Sequence, residues 1–367
     1  MFRTFHSSFS GILYLFSTGV LSMATTHTLI ISGDASGGAI STTFNDATHE
    51  FNVTGTTLTN GADWITLAST SRAYLTFRNT ATVAAYDVSH SGGLTLVGSP
   101  VSVPVPVYVG MTHNLSFLFT ASYPTGAIAT VPLNSDGIPT PFWIVDVTGN
   151  YLIFPDDGLD SLHVYKIGAT SATYLYDQPS PVRPSGPRHA VLSGFPVIAN
   201  WVPRLHVINE EDNSVETWIM QYSPTNMSLI LQGSAVSTLE VPGGQSVSTA
   251  AELLISPNGK YLLASNRDAS LFATGSIATA LTRISITSSG GANPRSMSLD
   301  KTGRWLAVVN GNSNSTAIFA FDQNTGSLAP KPVANLTGIN IPQTVVWLEH
   351  RRTPSATLAQ ISHLQGN

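Results

Sequence analysis

The chain has 367 residues, of which only 10% are charged, with a net charge of -5 and four lysines. A polypeptide this long can bury a substantial core as two ordinary domains or as one large all-β domain. So few basic residues exclude a face for nucleic acid or for an acidic membrane surface, and the lack of any cysteine removes disulfides, thiol nucleophiles and thiolate metal ligands.

The amino terminus, "MFRTFHSSFSGILYLFSTGVLSMATT", has a cationic start at Arg3 and an apolar run from Gly11 to about Ala24. Small residues at Ser22 and Ala24 are spaced like a cleavage site. This is the pattern of a signal peptide over residues 1–24, which implies a secreted protein. The run is short for a bilayer span and is interrupted by Ser17, Thr18 and Gly19. The alternative is a cytoplasmic protein whose first strand is this segment. Asn-x-Ser/Thr sequons begin at Asn52, Asn114, Asn226, Asn314 and Asn335; they permit glycosylation without requiring it.

Beyond the leader, abundant Thr, Ser, Val, Gly and Pro suit short strands joined by tight turns, and no amphipathic helix of three turns stands out. Segments repeat. "VDVTGNYLIFPDDGLDSLHVYKI", "SPNGKYLLASNRDASLF" and "LDKTGRWLAVVNGNSNSTAIFAFD" each read as a glycine turn, an apolar strand, a polar turn and a second strand. Gly259 and Gly303 lie 44 residues apart, and Gly149 lies 110 before Gly259. That leaves room for one degenerate copy, "SGFPVIANWVPRLHVINEEDNSVETW". A period in the forties built from four short strands marks a β-propeller blade. Residues 25–350 then form one all-β domain of seven blades, with eight as the alternative. Ring closure requires a strand from each terminus, and "HTLIISGD" and "PQTVVWLEH" are the natural pair. Residues 351–367 read as a polar tail.

"GPRHAV", "INEEDNSVETW", "AELLISPNGKYLLASNRD", "NPRSMSLDKTGRWLAVVN" and "FDQNTGSL" resemble, in that order, signature segments of the lactonase family of seven-bladed propellers. That family includes bacterial 6-phosphogluconolactonases and fungal carboxy-cis,cis-muconate cyclases. The resemblance implies a cluster at one mouth of the central channel that acts on a small carboxylated or lactone substrate, by lactone formation or opening. It assigns catalytic parts to Arg188, Glu210 and Arg295, and places His189, Glu252 and Arg267 beside them as substrate-binding residues. Guanidinium forks bind carboxylates bidentately, and a nearby glutamate can exchange a proton. Two departures stand out: Pro141 occupies the position where the family pattern has a histidine, and about six extra residues around "FPVIANWVP" separate Arg188 from Glu210. Either departure leaves room for the alternative of a secreted binding propeller with a decayed site.

Each residue also has a plainer reading. Arg188 and Arg295 could be solvated blade edges, and Glu210 in "NEEDN" an exposed turn. Glu252 and Arg267 could pair with each other, His189 could be a packed residue, and His163, in a strand with no acid beside it, reads as structural. The histidines lack metal spacing, so neither metal nor cofactor is expected; the partner is a small molecule, and the chain is a monomer or a weak homo-oligomer. The leader predicts that expression in a secreting host yields a protein beginning near Thr25. Amino-terminal sequencing checks this, and retention of Met1 with no glycan on any sequon would count against secretion.

Overall fold

A computed structural model describes residues 25–348, apart from 35–36, 59, 112–116, 123–126, 134–143, 146–147, 169–171, 194–201, 241–247, 269 and 276–280. The leader, the polar tail, the sequon asparagine Asn114 and Pro141 lie outside the described residues.

Seven antiparallel sheets follow one another along the chain, as the repeat period requires. Their first strands are Trp64–Ser69, Pro106–Met111, Ile144–Val145, Pro187–Ser193, Ala250–Ile255, Pro294–Leu299 and Pro342–Trp347, which define blades 1 to 7. Blade 2 has three strands among the described residues, and the others have four or five. Helical structure among the described residues is limited to two single-turn 3-10 segments, Arg78–Thr80 and Gly311–Ser313.

The first strands meet across blade boundaries. Pro187–Ser193 packs on Ala250–Ile255, that strand on Pro294–Leu299, and so on through Pro342–Trp347 and Trp64–Ser69 to Pro106–Met111. They therefore line the central channel. The second strand of a blade is covered on both faces by neighbouring blades, which is why "WLAVVN" (Trp305–Asn310) is apolar up to its last residue, Asn310, and wholly buried. Outer strands such as Thr282–Ser288, "TRISITS", face water and are polar. The repeated turn glycines Gly149, Gly259 and Gly303 all connect first and second strands with φ of +74°, +69° and +65°, a left-handed conformation that glycine adopts without a Cβ penalty.

The ring closes in blade 7, where the segments from the two ends of the sequence pair. Strand Thr26–Gly33 lies antiparallel to Pro342–Trp347, with Leu29 opposite Trp347 and Ile31 opposite Val345. Trp347 is fully buried in a cluster with Leu29, Phe44 and Trp305, and its indole N–H donates to the Ser298 carbonyl at 2.9 Å. The side chain thus locks blade 7 onto blade 6.

His163 departs from the reading of a histidine with no acid beside it. Strand pairing sets it directly opposite Asp177, and its Nδ1 lies 2.6 Å from Asp177 Oδ1 while Nε2 lies 3.0 Å from Asp156 Oδ2. Sequence spacing hides this, because the acids arrive from the neighbouring strand and from the preceding strand end. The hydrogen bond to Asp156 holds the imidazole above its ordinary pKa against burial, and Asp177 reinforces it.

Two outcomes follow from this architecture. Trp347→Ala should lower stability to chemical denaturation by about 3–5 kcal/mol through lost burial and the cavity left behind. Because the His163 pKa is raised on folding, its charged pair stabilises fully below the unfolded value of about 6.5 and fades as pH rises through the folded value. His163→Gln should therefore cost most near pH 6 and progressively less in alkali, measured by denaturation across a pH series.

Candidate active site

Arg188 and Arg295 occupy the same place in two blades. Each follows a proline at the start of a first strand, and the register slips there, between Pro187 and His189 and between Pro294 and Ser296. A bulge of this kind turns one side chain out of the ladder. Here it sends a guanidinium towards the channel mouth, where the first strands begin. Glu210 and Arg267 come to the same mouth by a second repeated position, the residue just after the second strand of a blade: Glu210 follows Arg204–Asn209, and Arg267 follows Leu262–Asn266.

Glu210 joins these elements. Arg188 Nη1 donates to its Oε2 and Arg267 Nη1 to its Oε1. Arg267 Nη1 also reaches the Thr249 hydroxyl at 2.6 Å, and Arg188 Nε donates to the Ala251 carbonyl at 3.0 Å. Burial alone would raise the Glu210 carboxyl, but the two guanidiniums outweigh it and hold it below its ordinary pKa. A carboxylate whose lone pairs are committed to two arginines is suited to positioning them rather than to passing protons.

A histidine–carboxylate pair lies one residue further along each first strand. His189 Nδ1 lies 2.7 Å from Glu252 Oε1, which also accepts the Leu253 N–H at 3.0 Å. A carboxylate can only accept, so the neutral form of His189 paired with it has its proton on Nδ1 and a lone pair on Nε2. Glu252 is 4% exposed, and its own N–H donates to Ser265 Oγ at 3.1 Å. Trp64 meets the His189 ring edge-on and Tyr108 meets it tilted, each with centroids 5.5 Å apart. Burial, and secondarily the Glu252 charge, push the Tyr108 phenol up, so it stays neutral. Deeper still, the channel holds a cavity of about 240 Å³ whose lining includes Trp64, Thr66, Tyr108, Ser296, Ser298 and Thr344.

Arg295 differs from its equivalent. It makes no hydrogen bond or ion pair among the described residues. Burial lowers its pKa to about 10, and the charges of Arg188, Arg267 and Arg78 add to that effect while Asp63 opposes it. It remains a cation at neutral pH, surrounded by other cations. Arg78, which follows the second strand of blade 1, is matched by Asp63 through Nη2–Oδ1 at 3.1 Å. Arg295 therefore supplies uncompensated positive charge at the mouth, available to an anionic group of a ligand. Among the described residues no group of histidines and acids could hold a metal ion.

The structure thus brings all six sequence-derived residues to one mouth, with different partners than the plain readings gave. Glu252 pairs with His189, and Arg267 with Glu210, so no Glu252–Arg267 salt bridge forms. Glu210 is not an exposed turn; its side chain is 13% exposed. The extra residues between Arg188 and Glu210 fall between strand ends that pair Ser193 with Arg204, whereas Pro187 opposite Asn209 keeps the functional ends together. Arg78, Asp63, Trp64, Tyr108 and Asp157 were missed. Arg78 and Asp157, which follows Tyr151–Asp156, occupy the same post-strand position as Glu210 and Arg267, so blade-by-blade superposition of strand ends would have found them.

This fold and mouth are matched by a family model described as "Lactonase, 7-bladed beta-propeller" over residues 22–142 and 142–346, and the chain belongs to that family. A protein named "Probable 6-phosphogluconolactonase" from Arthroderma benhamiae is 27% identical over 91% of this chain and 93% of its own length. The 6-phosphogluconolactonase of Pectobacterium carotovorum is 26% identical over 68% of this chain and 76% of its own. Among solved structures, the periplasmic gluconolactonase of Pseudomonas aeruginosa shares the fold with a TM-score of 0.74 at 20% identity, covering 88% of this chain and 99% of that one.

Gly186 carries the turn into Arg188 with φ of +67°, and a Cβ there would collide with Asp157 Oδ1 and Glu211 Cγ. Gly233 has φ of +70° and open space around it. Both Gly→Ala changes should destabilise through the left-handed backbone by about 1 kcal/mol. Gly186→Ala should lose clearly more in chemical denaturation, and the difference between the two variants measures the collision.

Proposed function

We propose that the protein hydrolyses an anionic sugar lactone of the 6-phosphogluconolactone type. The observation that carries this reading is the His189–Glu252 pair set beside an unpaired, partly buried Arg295. Glu252 fixes the imidazole so that Nε2 takes a proton from water as the water oxygen bonds to the lactone carbonyl carbon. The ring C–O bond then breaks, and the imidazolium returns the proton to the departing ring oxygen, so no proton is gained or lost at the enzyme. Arg295 and Arg188 bind the phosphate or carboxylate of the substrate; Glu210, itself bonded to Arg267, holds Arg188 in place. Trp64 and Tyr108 supply a neutral wall for the sugar ring. Relatives named 6-phosphogluconolactonase favour hydrolysis over muconate cyclisation. The leader-like segment supports an exported enzyme.

Purified protein should hydrolyse 6-phosphogluconolactone. His189→Gln and Glu252→Gln should each lower kcat by about 10²–10⁴-fold with KM little changed, the range for loss of a general base. Arg295→Lys should chiefly raise KM, because it keeps the charge and loses the planar fork. Cyclisation of carboxymuconate with no lactone hydrolysis would replace this reading with the cyclase, and ligand binding without turnover of either would replace it with a binding propeller.

A further inference from the structure

Asp157 sits at the same mouth with no counterpart in the chemistry above. It follows the second strand of blade 3, as Glu210 follows that of blade 4. Its carboxyl wedges against Gly186, in the turn that carries Arg188. Oδ1 is buried and accepts no hydrogen bond among the described residues. An ionised carboxylate so placed lacks the donors that normally stabilise it.

The charges acting on Asp157 are Glu210 and Glu211 from blade 4, Arg188 from the bulge, and Asp156 from its own strand. Three are negative and one is positive. Burial first, then Glu210 and Glu211, push its carboxyl up to about 6, while Arg188 pulls it down. Arg188 is also the cation that, with Arg295, faces an incoming anion. An anion seated there draws on the positive charge that now opposes the protonation of Asp157, and adds negative charge nearby.

We propose that Asp157 takes up a proton when an anion binds at this mouth, so that ligand anion and proton enter the site together. The inference deepens the proposed function by adding a pH-coupled step to its anion-binding site. By reciprocity, protonation of Asp157 must strengthen anion binding by the same factor. Affinity is then highest below the Asp157 pKa and falls as pH rises through it.

Sulfate is the probe, because it does not titrate in this range. Calorimetry of the mature chain should show sulfate affinity falling about five- to tenfold between pH 5 and pH 8, at the lower end of ordinary site–site coupling. Titrations near pH 6–7 in buffers of different ionisation heat should show net proton uptake. Asp157→Asn should bind sulfate tightly and equally at all these pH values, whereas His189→Gln should retain the fall. The proton inventory of the wild type and of His189→Gln reads the coupling even if Asp157→Asn fails to fold. Sulfate affinity independent of pH, a fall that persists in Asp157→Asn or disappears in His189→Gln, or no sulfate binding at all would each overturn the proposal. Proton-coupled sulfate binding in a protein that hydrolyses no lactone would overturn the activity and leave the coupling standing; a lactone hydrolase with pH-independent sulfate binding would do the reverse.

Discussion

Everything at the mouth depends on a ring closed without a covalent bond. The pairing of Thr26–Gly33 with Pro342–Trp347 converts seven sheets in a row into a circle, and the circle fixes where each first strand begins. With no cysteine in the chain, closure rests on ladder hydrogen bonds and on the buried cluster of Leu29, Phe44, Trp305 and Trp347. Blades of this kind bury their faces only on neighbours, so local order and global closure are the same event. The bulges that aim Arg188 and Arg295 have a common target only because the ring is closed.

The charges at that target form compensated groups with a remainder. Asp63 answers Arg78, and Glu210 answers both Arg188 and Arg267. One carboxylate offsets only one of those two guanidiniums, so the excess is one charge from that group together with Arg295, which has no partner among the described residues. Burial brings the Arg295 pKa down to about 10, which leaves it a cation at neutral pH. The two histidines of blade 4 show how partners decide chemistry. His206 lies between Ser193 Oγ and Thr217 Oγ1, and burial drives its pKa down to about 3, which leaves it a neutral structural spacer. His189 faces the Glu252 carboxylate instead, which orients the ring and would favour its charged form.

The fold was legible because it is periodic. Recurring glycine turns at Gly149, Gly259 and Gly303, and apolar second strands such as Trp305–Asn310, carry the blade pattern in one dimension. Candidate residues were legible as members of the mouth through the resemblance of "GPRHAV", "INEEDNSVETW" and "NPRSMSLDKTGRWLAVVN" to segments of the lactonase family. Their partners were not. His189 and Glu252 are 63 residues apart, and only the ring places adjacent first strands side by side. His163 failed for a related reason, since its acids come from across a strand pair. Glu210 read as an exposed turn because an acidic run usually is one; the two arginines that cover it come from other segments of the chain.

The direction of the strands in blade 7 has a further consequence. Pro342 begins its strand at the mouth, so Trp347 ends at the opposite face, and Thr26 starts its antiparallel partner from that same face. The backbone N–H of Leu348 donates to the Thr28 carbonyl at 3.0 Å, which keeps the two ends side by side. Any leader, linker or anchor joined to either end therefore leaves from the back of the disc. A molecule tethered by it would present its charged opening outward.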